Sequence, residues 1–312
     1  MLTLGIETSC DETSVAVIDD QFRILSNVII SQIEIHQVFG GVVPEIAARN
    51  HIENILPVLD EALQKANLTL AQIDQVAATV EPGLPGAVMV GRVFGKSLAN
   101  ALHVPFKSVN HLHGHMASLR LSNPALRPPM LCLLVSGGHT ILYLVNENWE
   151  TQILCTTADD AVGEAFDKVA RVLGLVYPGG PKISQNANMN LQFTPIMNKF
   201  PKNTFSYSGL KTAVLNYINH EKQKGNTINL PEICANFQFC AVAQLLKKTR
   251  EFLQQTGIKS LGICGGVSAN QYLREQFTEL CKKMDVQLYL PAPSLCGDNA
   301  AMIAAAAVLS IK

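Results

Sequence analysis

The chain has 312 residues, of which 48% are apolar and 16% charged. That length and balance exclude a disulfide-stapled mini-domain and a disordered or coiled-coil chain, and suit about two packed domains. With 24 Lys and Arg against 25 Asp and Glu the formal charge is -1, so a polyanionic partner has to be held by a local patch or through a second protein, not by overall charge. The longest apolar run, 300–309, is too short to cross a bilayer, and MLTLGIETSC has no basic segment ahead of an apolar signal core; the expected location is cytoplasmic. The eight cysteines are scattered without CxxC pairs and read as reduced core thiols, none of them a zinc ligand.

Residues 2–7 and 14–19 run apolar on either side of the polar TSCDET turn, and 22–30 adds a third extended segment, making a three-strand meander. Apolar residues at helical spacing follow over 44–66, where Pro57 is expected to kink or split the helix. Next come a strand over 75–80 ending in EPGLPG, a helix over 87–102 and a strand over 106–110. The plan then recurs. Segments 130–135, 139–145 and 151–156 form a second meander around SGGH and NENW turns, and 159–173 is a helix. A glycine-proline loop, YPGGPKI, and a mostly helical stretch over 206–255 intervene before a strand at 259–264, a helix at 270–283, a strand at 286–290 and a helix at 298–311. A meander followed by alternating helices and strands, met twice, predicts two related α/β domains with a cleft between them. The expected boundaries are 1–110 and 111–312, the second domain carrying a helical insertion at about 184–255, with the last helix, 298–312, packing back on the first domain.

In each half the first two strands are joined by small or hydroxyl residues: Thr8, Ser9, Asp11, Glu12 and Thr13 in one, Ser136, Gly137, Gly138, His139 and Thr140 in the other. Each is compatible with an ordinary hairpin, and two in equivalent places suit the gripping of a phosphate chain by backbone N–H groups. Gly265 and Gly266 follow a strand whose carboxyl end is where ligands of open α/β sheets lie, and Ser268 or Asn270 is expected to cap the next helix. Asp160, Glu164 and Asp167 fall on one helix face, either as a solvated acidic stripe or as partners for a ligand hydroxyl, amine or metal-bound group.

Three histidines lie in VNHLHGHMAS. On a helix, His111 and His115 project from one face at i and i+4, where two imidazoles can meet one cation, while His113 points elsewhere. Asp298 opens the last helix and is expected to supply a carboxylate from across the cleft. Two His and one carboxylate with open positions is an arrangement used for Fe(II), and zinc accepts the same ligands. Metalloprotease chemistry is excluded because HExxH needs Glu where Leu112 stands, and no GxSxG accompanies Ser136.

Taken together in chain order, ETSCDET (7–13), GGVVPE (40–45), HLHGH (111–115), VSGGHT (135–140), DDAVGEAFDKVARVLGLVYPGGP (159–181), FSYSGLKTA (205–213), CGGVSAN (264–270) and CGDNAAMIA (296–304) resemble the bacterial tRNA threonylcarbamoyladenosine-synthesis transferases, the family once called O-sialoglycoprotein endopeptidases. The resemblance implies a two-lobed actin-like, sugar-kinase-like ATPase fold, with RNase H-like domains duplicated around a central cleft. It implies an acyltransferase that passes the threonylcarbamoyl group of threonylcarbamoyl-AMP, made by a separate enzyme, to the exocyclic amine of adenosine 37 in tRNAs reading codons that begin with A. By motif, the implied ligands of one divalent metal, Fe(II) first and zinc second, are His111, His115 and Asp298. Contacts to the adenine nucleotide, ATP or threonylcarbamoyl-AMP, are implied for Leu134, Val135, Ser136, Gly137, Gly138, His139, Asp167, Gly180 and Asn270, with Ser9 and Glu12 lining the facing turn.

A mixed anhydride is already activated, so no covalent nucleophile is required, and Asp11 or Glu12 is the expected proton acceptor. The implied partners are tRNA, a paralogous inactive actin-like subunit and a small P-loop ATPase subunit; Arg49, Arg92 and Lys96 are the expected tRNA contacts. The chain departs from the family pattern at four places: His113 stands in HxEGH, Gly297 in TDN, Glu81 in GPG, and Ser184 where an acid is common. The competing readings are a small-molecule kinase or ATPase of the same fold, and a non-catalytic scaffold subunit.

Overall fold

The computed structural model describes residues 1–197 and 199–311. The chain begins with β1 (Leu2–Glu7), β2 (Glu12–Asp19), β3 (Ile24–Ser31), α1 (Ile33–Gln37), α2 (Pro44–Ala66), β4 (Gln75–Glu81), α3 (Pro85–Leu102), β5 (Phe106–Asn110) and α4 (His111–Ser122). It continues with β6 (Met130–Val135), β7 (Thr140–Val145), β8 (Thr151–Thr156), α5 (Val162–Val172), α6 (Gly179–Asn186), α7 (Ser208–Gln223), α8 (Leu230–Thr256), β9 (Ser260–Cys264), α9 (Gln271–Met284), β10 (Gln287–Tyr289) and α10 (Ala300–Leu309).

Two five-stranded sheets form, in the orders β3-β2-β1-β4-β5 and β10-β9-β6-β7-β8. Read from the meander outward, the two orders are the same, and in each the first strand pairs antiparallel with the second and parallel with the strand that follows the helices. The duplication expected from the chain order is therefore present in the strand topology.

The chain divides into two compact units, 1–128 with 146–151 and 289–312, and 129–145 with 152–288. This differs from a boundary at 110, for a physical reason. In the first sheet Leu4, Ile6, Val15, Val17, Val76 and Ala78 face one core with Ile55, Val58 and Leu59 of α2, while the alternate residues Ala16, Ile18 and Ala77 face a second core with Ala117 of α4 and Ala300 to Ala307 of α10. A strand presents successive side chains to opposite faces, so a sheet buried on both sides needs a helical layer on each. Helix α10 supplies the second layer together with α4. It is buried from Ala300 to Ala307, and six of its ten residues are alanine, which lets it sit so close that a Cβ on Gly5 would lie 2.2 Å from the Ala300 carbonyl oxygen.

Two local expectations are corrected, a split of α2 at Pro57 and a loop throughout YPGGPKI. Helix α2 runs unbroken through Pro57, which is exposed, as is Glu53, whose carbonyl loses its i+4 donor; water can satisfy it while the buried stripe from Ala47 to Leu63 holds the helix to the sheet. YPGGPKI is only half a loop, since α6 starts at Gly179, where a Cβ would lie 2.5 Å from the Ala170 Cβ, so glycine there serves close packing of α6 on α5. Among the described residues, no helix is long and apolar enough to cross a membrane.

Candidate functional site

Strand β1 ends in Glu7, a carboxylate wholly buried after a run of apolar residues. Its Oε1 accepts from the Ser9 backbone N–H at 2.5 Å, and its Oε2 accepts from the Thr79 hydroxyl at 2.7 Å and from His111 Nδ1 at 2.9 Å. Burial by itself would raise the Glu7 carboxyl, but His111 and Thr79 outweigh it and hold it below the usual carboxylate range. The Ser9 hydroxyl lies 3.1 Å from the same Nδ1, so Ser9 steadies His111 from behind.

Asn110 caps α4 by accepting from the Leu112 N–H, which puts His111 at the first helical position and His115 one turn on, with ring centroids 4.7 Å apart. With Nδ1 turned to Glu7, His111 Nε2 points the other way, 3.5 Å from Asp298 Oδ1; His115 Nε2 is 3.2 Å from the same oxygen. Ligand atoms of all three residues lie within 4.8 Å of one another. Asp298 is held in the loop ahead of α10: Asn299 caps that helix through the Met302 N–H and donates to the Gly297 carbonyl, and the Ala300 N–H donates to the Ser14 hydroxyl at 2.9 Å. The last helix thus opens at Ala300, not at Asp298. Asp298 also belongs to the same compact unit as the two histidines, which corrects the expectation that it would come from the second domain.

These residues fit a divalent cation. His115 is fully buried, yet neither of its ring nitrogens has a hydrogen-bond partner, a costly arrangement unless something else is ligated there. Two imidazoles and a carboxylate suit Fe(II) and are acceptable to zinc, and Glu7 behind His111 completes the carboxylate–histidine pair that orients such ligands. Nearby, Asp11 Oδ2 is buried without a hydrogen-bond partner, and burial, Asp298 and Asp11 together push the Glu12 carboxyl well above its ordinary range. A cluster of three carboxyl groups is relieved by a cation. His113 is not in the ligand group; burial lowers its imidazole, which reaches the backbone of Ile311.

In the second unit, the SGGH turn closes β6 onto β7 through Ser136 N–H to the His139 carbonyl at 2.9 Å and His139 N–H to the Ser136 hydroxyl at 3.1 Å. Gly137 and Gly138 are exposed, and a Cβ on either would meet open space, whereas Leu134 and Val135 are wholly buried and offer no side chain to a ligand. Strand β9 pairs parallel with β6 and is followed by Gly265, whose φ of +92° and approach to Val135 leave no room for a side chain. Asp167 accepts from the Gly179 N–H at 2.7 Å, fixing the loop before Gly180. Asn270 caps α9 and donates to both Ser184 and Gln238, and Ser184 donates to Gln238 at 2.8 Å. Ser268, the other capping candidate, is buried and does not cap. In the acidic stripe, Lys168 pairs with Asp160 at 2.6 Å and Glu164 at 2.8 Å, so those two are a structural ion-pair set and only Asp167 turns to the loop.

The sequence profile of the TsaD family, described as tRNA N6-adenosine threonylcarbamoyltransferase, matches residues 23–305. This chain belongs to that family. A tRNA N6-adenosine threonylcarbamoyltransferase of Caldicellulosiruptor bescii is 45% identical over 100% of this chain and 94% of its own. One of Thermosipho africanus is 48% identical over 98% and 93%. Component A of (R)-2-hydroxyglutaryl-CoA dehydratase from Acidaminococcus fermentans is 15% identical over 100% of this chain and 99% of its own, with a TM-score of 0.58, and shows the fold, that of the sugar-kinase-like ATPases. Membership of the threonylcarbamoyltransferase family makes this chain an acyltransferase of tRNA modification and disfavours the kinase and scaffold readings. The family also implies use of a metal and a nucleotide.

Against the family pattern, Gly297 is exposed with room for a side chain, and Ser184 is tied into the Asn270–Gln238 network. Arg92 and Lys96 line a groove of about 720 Å³ in the first unit with Glu81, Pro82, Met89 and Val93. Glu7 and Thr79 are the residues that motif reasoning passed over; the one available signal for Glu7 was a carboxylate closing an apolar strand.

Proposed function

We propose that this chain transfers the threonylcarbamoyl group of threonylcarbamoyl-AMP to the exocyclic amine of adenosine 37 in tRNAs reading codons that begin with A, with His111, His115 and Asp298 holding a divalent cation, Fe(II) in preference to zinc. The observation that carries it is the convergence of those three side chains, with Glu7 behind His111 and a buried His115 whose ring nitrogens lack any hydrogen bond. A bound cation supplies Lewis acidity toward a carbonyl or phosphate oxygen. In the transfer, the amine nitrogen bonds to the carbamoyl carbon, the bond from that carbon to the phosphate oxygen breaks, AMP leaves with the electron pair, and one proton departs from the amine.

The chain's own groups orient and protect these atoms. Glu7 keeps the proton of His111 on Nδ1, so that Nε2 presents a lone pair. Ser136, Gly137, Gly138 and His139 offer a turn whose backbone a phosphate can approach, since the two glycines leave the space open. Asp167, Gly180 and Asn270 hold the rest of the adenylate, and Leu134 and Val135 contribute only as the strand beneath. Asp11 or Glu12 accepts the amine proton; a carboxyl raised by burial and like charge is the stronger base once ionised. A paralogous actin-like subunit and a small P-loop ATPase subunit complete the machinery, and the protein works in the cytoplasm.

The test is transfer of labelled threonine from the adenylate to unmodified tRNA by metal-stripped and Fe(II)-reloaded protein in the presence of those subunits. Transfer that returns with the metal, and is lost with His111→Ala at unchanged fold, supports the reading. Transfer undiminished in His111→Ala overturns it.

A further inference from the structure

The neutral total charge hides an unequal division. The first unit contains 9 Lys and Arg against 15 Asp and Glu, and the second 15 against 10, giving net charges of -6 and +5. The whole excess of the second unit falls in residues 196–256, the stretch holding α7 and α8, which has 8 basic and 3 acidic residues. Two of those acids are already engaged: Glu221 by Lys224 at 3.6 Å, and Glu251 by the buried Lys248 at 3.1 Å. Among the described residues, none of Lys199, Lys202, Lys211, Lys222, Lys247 and Arg250 forms an ion pair.

The fold gathers several of these bases at one junction. The Gln244 side chain bonds both the N–H and the carbonyl of Ser206, at 2.8 and 2.9 Å, tying the segment before α7 to the middle of α8. One turn along α8, Lys248 turns inward and donates to the Lys202 carbonyl, which brings Lys202 against the same helix. Lys247 and Arg250, three residues apart and exposed, share the outer face there, and Lys211 stands one turn into α7. Among the described residues of 196–256 no large apolar side chain is exposed, so this face lacks the greasy half of a membrane-binding helix or a protein interface. Unpaired lysines on long stems, without apolar neighbours, are suited to a phosphate backbone read by charge and not by base.

We infer that the α7–α8 face of the second unit, centred on Lys202, Lys211, Lys247 and Arg250, is the docking surface for the phosphodiester backbone of the tRNA substrate. This rests on the transferase reading above. It also moves the expected tRNA contacts away from Arg49, Arg92 and Lys96, which belong to the acidic unit.

The test uses the full chain with its partner subunits, unmodified tRNA, and two triple variants, Lys202→Gln/Lys247→Gln/Arg250→Gln and Lys202→Glu/Lys247→Glu/Arg250→Glu. The expected result for the neutral variant is a slope of log binding constant against log salt shallower by about 3, one for each lost phosphate contact. The reversed variant should show a KM for tRNA raised about tenfold or more, with metal content, nucleotide binding and turnover at saturating tRNA retained. An unchanged slope and KM in both variants, while wild type transfers normally, overturns the surface and leaves the transferase reading standing. Tighter binding to vesicles of anionic phospholipid than to tRNA, or a larger loss on reversing Arg49, Arg92 and Lys96, also overturns it. Absence of any transfer to tRNA by wild type sinks the transferase reading, and the surface with it.

Discussion

Glu7→Gln isolates the role of a residue that never touches the cation position. The amide matches the carboxylate in size, so the packing around β1 is kept. The Ser9 N–H, 2.5 Å from Oε1, requires an acceptor, which fixes the amide oxygen on that side and leaves the NH2 group facing Thr79 and His111 Nδ1, 2.7 and 2.9 Å from Oε2. The Thr79 hydroxyl can turn and accept. His111 can accept only by giving up its Nδ1 proton, and its neutral form then carries the proton on Nε2, aimed at the place shared with His115 and Asp298. Loss of such an orienting partner costs about 10- to 100-fold in metal affinity, or about 1.4 to 2.8 kcal/mol. Competition against a chelator of known strength measures this directly, and a thermal melt of the metal-free variant checks that the fold survives. Wild-type affinity in Glu7→Gln, with the fold intact, would refute the assignment of Nε2 as the ligating atom.

The remaining predictions concern the same centre and its support. In metal-free protein, burial lowers the His111 imidazole but Asp298 and Glu7 outweigh it and push it up to about 9. A raised folded-state value adds stability that is complete below the unfolded value near 6.5 and is lost as pH rises through 9, about 3 kcal/mol in all. Melts of chelated protein should therefore fall across that window and those of loaded protein should not, since ligation removes the proton; a flat profile for the chelated form counts against the pair. His115→Ala should lose bound cation and transfer while its circular dichroism stays that of wild type, and retained metal by elemental analysis would exclude His115 as a ligand. Gly5→Ala should destabilise by about 3 kcal/mol in urea and release the metal, because its Cβ would collide with the α10 backbone two residues after Asp298; a neutral effect would mean that α10 is not seated on β1. Gly297→Thr has open space for its side chain and should change stability by less than about 0.5 kcal/mol, which a urea titration would show.

Much of this was legible in one dimension. Alternation and helical spacing located nearly every element, because a sheet with both faces covered demands apolar strands and amphipathic helices at regular intervals. The HxxxH spacing placed two imidazoles on one face for the reason that any helix does. Two of the differences are of one kind. A split of α2 at Pro57 and a loop throughout GGP follow from local preference alone, and packing overrides both. Ser268 and Asn270 were equivalent as caps until the fold buried one and turned the other to Leu273.

The order of residues by itself determined the repeated strand plan, the motif blocks that mark the family, and the choice of His111, His115 and Asp298 as candidate ligands. Tertiary structure alone decided where the pieces meet. An alanine-rich helix nearly 300 residues from β1 lies against it because side chains as small as Ala300 and Ala304 let two backbones come so close, and that contact brings Asp298 beside the histidines in a single unit. It also buries Glu7 behind His111, a partnership between residues 104 positions apart that no spacing along the chain could have announced.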